Sequence, residues 1–188
     1  MRYYKLLYDY ENDEKFISCN EGDIGDMDEY LVGDGDKLDS WADNIIFDYE
    51  LEEGKELPDY LGNPYRWFLV SNKFKELMDM YLDKAVQYLP VVIRDEKGNI
   101  AESSYQVANV INAIEALDLE KSECDYLELD DQKILTVDRY VLKESALRES
   151  HILKLKEDTL PIFVSESVKN LVEENNMLGF GFLEVEVV

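Results

Sequence analysis

The chain has 188 residues, with 43 acidic against 19 basic side chains and a formal net charge of −24. An apolar fraction of 46%, with 13 Tyr, 7 Phe and 2 Trp, is far too rich for a disordered acidic tail, so the chain folds despite its charge. No 18-residue apolar run is present, the start Met1-Arg2-Tyr3-Tyr4-Lys5 lacks the apolar stretch of a signal peptide, and the charge repels phosphate backbones and anionic membranes. The expectation is a cytoplasmic protein that engages neither nucleic acid nor membrane.

The predicted elements begin with an aromatic strand at residues 3–8. Residues 21–39 follow as an acidic, glycine-bearing stretch, where glycine permits turns and repelling carboxylates oppose compaction, so a loop is expected. A second strand is expected at residues 45–49 and a charged turn at residues 50–56, with Pro58 and Pro64 punctuating the approach to the next element. The run Phe68-Leu69-Val70-Ser71 then ends a strand, and Phe74, Leu77, Met78 and Tyr81 have the spacing of an amphipathic helix. A strand at residues 88–93 and a polar turn at residues 95–99 predict a hairpin. Residues 105–117 are ambiguous between helical spacing and β-branched composition. An extended start turning helical near Asn112 is the reading. Residues 124–129 and 133–142, joined by Asp130-Asp131-Gln132, predict a second hairpin.

The strand, serine and helix pattern recurs ninety-four residues on, in Ile162-Phe163-Val164-Ser165 followed by Val168, Leu171 and Val172. Aligned without gaps, Val70/Val164, Ser71/Ser165, Lys75/Lys169, Leu77/Leu171, Leu89/Leu183 and Val91/Val185 are identical. Either a true repeat or convergence on a common pattern explains them. In both copies the serine hydroxyl is expected to cap the helix, at about 1 kcal/mol each. The last unit ends in a strand at residues 180–188, with Asn175-Asn176 and Gly179-Phe180-Gly181 turning the chain after the helix. The fold expected is α+β: one domain over residues 1–188, with an acidic half to about residue 100, a mixed or antiparallel sheet, and strand–helix–strand units at residues 66–93 and 160–188.

The chemistry-bearing residues are few. Cys19 and Cys124 lack any CxxC context and read as free, buried or half-buried thiols. The lone His151 sits in a polar stretch, without the partners of a nucleophilic triad, and reads as a surface histidine. Asp34, Asp36 and Asp39 invite a metal reading. Counted as a calcium loop from Asp34, however, Leu38, Asp39 and Ile45 fall where an oxygen ligand, Gly and Glu are needed; counted from Asp26, Tyr30 and Leu31 fail the same way. With 43 carboxylates, sequence spacing says nothing about a glycosidase pair. No GxGxxG before a helix, GxxxxGK[ST], HExxH or GxSxG is present, so no catalytic residue, cofactor or metal is expected.

What remains is a surface. A strongly negative field speeds encounter with a cationic partner. The carboxylates concentrate between Gly22, Gly25, Gly33 and Gly35, so the candidate partner-binding residues are Tyr30, Asp34, Asp36, Asp39, Trp41 and Asp43. Trp41 is either a binding anchor or a lid on the core beneath the loop.

Several stretches carry a likeness: Tyr3-Tyr4; Gly35-Asp36-Lys37-Leu38-Asp39-Ser40-Trp41; Leu69-Val70-Ser71 with its helix; Tyr105-Gln106-Val107-Ala108-Asn109-Val110-Ile111-Asn112; Ala116-Leu117-Asp118-Leu119-Glu120-Lys121-Ser122; and Ile162-Phe163-Val164-Ser165 through Gly179-Phe180-Gly181-Phe182. In order and spacing they resemble a bacterial immunity-protein family found beside toxins of polymorphic toxin systems, once catalogued as a domain of unknown function. The resemblance implies a non-enzymatic cytoplasmic inhibitor that binds a cognate, basic toxin domain delivered by sibling cells, with no catalytic residues to transfer. One departure is Gln106, where relatives carry a second aromatic beside the position of Tyr105. Two other classes remain: an acidic nucleic-acid mimic or general interaction module, which needs carboxylates at regular spacing along a rigid edge, and a hydrolase, which needs convergent polar groups in a pocket.

Overall fold

Strand β1 (Tyr3–Tyr8) sets the plan, because its alternate residues bury on opposite faces. Tyr3 joins one apolar cluster, and Tyr4 and Leu6 join another. The computed structural model describes residues 1–50, 56–82, 84–101, 104–129, 132–148 and 150–188. Most of the charged turn expected at residues 50–56, and Asp130 and Asp131 of the hairpin turn, lie outside the described residues.

In chain order the further elements are β2 (Cys19–Asp23), β3 (Ile46–Tyr49), β4 (Tyr60–Leu61), β5 (Leu69–Ser71), α1 (Asn72–Leu82), β6 (Val86–Asp95), β7 (Tyr105–Val110) and β8 (Ala113–Ile114). After them come β9 (Glu123–Leu129), β10 (Gln132–Arg139), β11 (Val141–Leu142), α2 (Glu144–Leu147), β12 (Ile152–Leu155), β13 (Ile162–Ser165), α3 (Glu166–Glu174) and β14 (Phe180–Val187). They form one sheet in the order β11-β14-β1-β13-β12-β8, a second in the order β2-β3-β6-β7-β5-β4, and the two-stranded ribbon β9-β10. The class is mixed α+β weighted toward β, with 42% strand and 14% helix.

The two strand–helix–strand units occupy equivalent places. Strands β5 and β6 both run antiparallel to β7, which lies between them, and β13 and β14 flank β1 in the same way. Helix α1 buries Phe74, Met78 and Leu82 at four-residue spacing, and α3 buries Val168 and Val172. These side chains share a cluster with Tyr4 and Leu6 of the first sheet and Phe68 and Val70 beside the second. The outer face of each sheet carries its own cluster, one under residues 24–43 and one under residues 114–117 and α2.

Both serines stand at the junctions expected of caps, but only one acts as such. Ser71 Oγ accepts the Phe74 N–H at 3.2 Å and donates to Asp59 Oδ1 at 2.6 Å. Ser165 makes no side-chain cap bond; its hydroxyl pairs with His151 Nδ1 at 2.9 Å, while the first N–H of α3 reaches Arg2 O. His151 is accordingly half-buried rather than a free surface residue, and it meets the Tyr81 ring edge-on. The expected result is that Ser71→Ala lowers stability by about 1–2 kcal/mol, while Ser165→Ala leaves the hydrogen bonds of the first α3 turn in place. Urea midpoints and amide exchange at Phe74 and Val168 measure both.

The helix expected near Asn112 is absent. Residues 105–114 are extended, because the segment is covered on both faces: Val107 enters one cluster, Ala108 and Val110 another. Its backbone is also engaged laterally, with Ile111 N–H on Ala85 O and Asn112 O accepting from Lys154 N–H. The acidic loop is shorter than expected. Residues 21–23 pair with β3, where Gly22 lies so close to Tyr65 that a Cβ would sit 2.6 Å from its ring. Both hairpins form, with Gly98 at φ +81° in the first and β9 antiparallel to β10 in the second. Gly179, at φ +87°, turns the chain after α3, and a Cβ there would meet Tyr60 O at 2.3 Å.

Candidate partner-binding surface

The acidic loop after β2 is a fixed structure, and the reason is the set of groups holding its backbone. Ile24 and Val32 bury on the outer face of the second sheet, with Met27, Leu38 and Ala42 packed beside them. Gln87 clamps Leu38 on both sides, donating to its O at 2.8 Å and accepting its N–H at 2.9 Å. Asn109 Nδ2 donates to Asp36 O at 2.9 Å, and Trp67 Nε1 donates to Glu29 O at 2.8 Å. Lys154, 4% exposed, donates to Gly33 O at 2.8 Å and Val32 O at 3.2 Å. Burial pushes its ammonium down to about 8, with Asp34 and Asp158 pulling the other way. Gly35 is held at φ +80°, and a Cβ there would crowd Ala113 at 3.1 Å.

With the backbone held inward, the side chains point out. Asp34, Asp36, Asp39 and Asp43 are exposed, and Tyr30 is 69% exposed. Trp41 is half-buried: its Nε1 donates to Pro90 O at 2.8 Å and its ring lies 5.6 Å from that of Trp67. It therefore packs on the core beneath the loop and keeps part of its surface open. Gln106 is also accounted for, its amide donating to Asn72 Oδ1 at 3.3 Å at the start of α1.

Other chemistry is sparse. Among the described residues, no group of three or more His, Cys, Asp or Glu side chains is placed to hold a metal ion. Cys19 is buried and its thiol is pushed up to about 12, chiefly by desolvation; Cys124 is half-buried. No helix among the described residues is long and apolar enough to cross a membrane.

The family model described as Immunity protein family (Imm11) matches residues 2–187, nearly the whole chain. The chain belongs to the Imm11 immunity protein family. A search of curated proteins returns no match to it. Membership gives a general role in toxin immunity and, with it, a toxin as partner. In this Imm11 chain the anchors Lys154, Trp67, Gln87 and Asn109 escaped the sequence reading. The available signal for Lys154 was a lone lysine inside the apolar run Ile152-Leu153-Lys154-Leu155.

Proposed function

We propose that this chain is a cytoplasmic immunity protein that neutralises a cognate toxin domain of a polymorphic toxin system by stoichiometric binding, as one domain, without catalysis. Its acidic loop is the surface presented to a basic toxin domain. One observation carries the reading: side chains from both sheets hold the loop backbone, while Asp34, Asp36, Asp39 and Asp43 face solvent around Tyr30 and Trp41. A surface ordered before encounter loses less conformational entropy on binding, and aromatic anchors inside a charged rim are the usual form of a hot spot. A nucleic-acid mimic needs a regular row of carboxylates, whereas these are interleaved with aromatic and aliphatic residues on a curved loop.

The test is kinetic. Asp34→Asn, Asp36→Asn and Asp39→Asn together are expected to slow association with the cognate toxin domain by roughly tenfold at low salt, and to flatten the salt dependence. Dissociation and the folded spectrum should hold, since none of the three carboxylates carries the loop. Wild-type association by the triple variant at low salt excludes this loop as the interface. If co-expression of the chain fails to rescue growth against that toxin, the immunity assignment falls with it.

A further inference from the structure

Beneath the tip of the acidic loop, where the two sheets approach, lies a cavity of about 300 Å³ that the proposed binding surface leaves unexplained. Four aromatic side chains line it, Tyr30, Tyr65, Trp67 and Phe68, with Leu160 across the mouth. Tyr65 and Trp67 are already in ring contact, with centroids 5.3 Å apart. At the mouth, Tyr30 and Leu160 are 69% and 77% exposed, the state of side chains awaiting cover rather than of a closed core. Gly33 lies between them, where a Cβ would stand 3.0 Å from Tyr30 O and in ordinary contact, at 3.8 Å, with Leu160 Cδ2.

The charged groups in its lining are the buried Lys154 and, at the exposed rim, Arg66 and Glu29. An ammonium has three donors, and two are used on Val32 O and Gly33 O. Among the described residues it forms no ion pair, and no third hydrogen bond is recorded for it. A cavity with aromatic walls and a cation in its lining repels a lysine or arginine side chain. It accepts an aromatic ring, whose face attracts the cation and whose edges pack on the walls. At the rim Glu29, with Asp34 nearby, stands against Arg66, and the net charge of −24 over the chain then favours basic residues flanking that ring. At about 300 Å³ it has room for an aromatic side chain and stands at the lower limit for a small-molecule pocket.

We infer that this cavity is the receptor for a single aromatic side chain, projecting from a basic segment of the toxin domain. The inference rests on the toxin-binding reading, so its test uses the free chain and side-chain mimics. In proton–nitrogen NMR the two tryptophans give two indole N–H signals, assigned with Trp41→Phe. p-Cresol, the side chain of tyrosine, is expected to move the Trp67 signal saturably, with a dissociation constant on the order of millimolar. Methylguanidinium, the side chain of arginine, is expected to leave it in place at the same concentrations. Leu160→Asp and Tyr30→Ala, both at exposed positions, should each weaken p-cresol at least fivefold, measured from each variant's own free Trp67 signal, while the dichroism spectrum of the fold is unchanged. A p-cresol shift that never saturates, one unchanged in both variants, or saturable methylguanidinium binding at Trp67 overturns the assignment. Any of these leaves growth rescue and the loop-charge kinetics to judge the toxin-binding reading separately.

Discussion

Phe74→Ala is expected to destabilise the protein by about 3–5 kcal/mol, a large part of the total for a chain of this size. The ring is 1% exposed and stands between the sheets: it stacks on Phe180 of β14 at 5.3 Å and meets Phe68, beside β5, edge-on at 5.4 Å. Removing it opens a void in the cluster where α1 and α3 meet, and neither sheet can collapse into that void without breaking its own ladder. Urea unfolding followed by circular dichroism and by tryptophan fluorescence gives the number. Both tryptophans report the outer face of the second sheet, whereas the dichroism averages all strands. One domain over residues 1–188 requires the two probes to fall together in the variant; separated transitions would divide it. A shift of under 1 kcal/mol would show that this cluster does not hold the sheets together.

Alkali is expected to unfold the chain, with the loss beginning near pH 9–10. Burial pushes the Cys19 thiol up to about 12 from an ordinary value near 9. Burial likewise raises the phenols of Tyr60, Tyr88, Tyr105 and Tyr140 above their ordinary value near 10. Tyr105 donates its hydroxyl to Pro58 O at 2.9 Å, and Tyr140 to Asp158 Oδ2 at 2.7 Å. Each of these five groups stays protonated longer in the folded chain than in the unfolded one. Their stabilisation is complete below the unfolded values and disappears as pH rises through the folded ones. Lys154 acts with the opposite sign. Its folded value is about 8 against 10.5, so the unfolded chain binds more protons between those limits and stability gains. These losses, to which the raised Tyr3 and Tyr49 phenols and Cys124 thiol add, outweigh the one gain and give a melting temperature that is level or slightly rising from about pH 8 to 9 and falls steeply above about pH 10. Thermal melts with tyrosinate absorbance at each pH measure it. Complete tyrosine ionisation with unchanged dichroism would contradict the burial of these phenols.

Features written in neighbouring residues were legible, and features made by distant partners were not. The Ser71 cap could be read because the serine follows an apolar run and its acceptor role lies three residues away. The matching role at Ser165 was lost to His151, which β12–β13 pairing brings beside it. Residues 105–117 misled for a different reason. Apolar residues on both faces of a covered strand imitate helical spacing, and only the neighbouring strands distinguish the two. The solvent-facing carboxylates of the candidate surface followed from composition. Its anchors did not, since Gln87 reaches Leu38 across 49 residues and Lys154 reaches Gly33 across 121.

The place of β1 bears on when the protein becomes able to protect. The second sheet draws all its strands from residues 19–110, so it can assemble while the rest of the chain is still being synthesised. Strand β1 precedes all of these strands in the chain, yet among the described residues it pairs with β13 and β14 alone, and β14 ends at Val187. Until that point Tyr3 and Tyr4, on opposite faces of β1, lack the strands that enclose them, and such distant pairing is intrinsically slow. The first sheet, which supplies Lys154 to the loop backbone, is therefore expected to close after the second, so that on the proposed reading the complete binding surface lags behind synthesis. If the chain acts as proposed, protection follows the stock of finished molecules and not the current rate of translation.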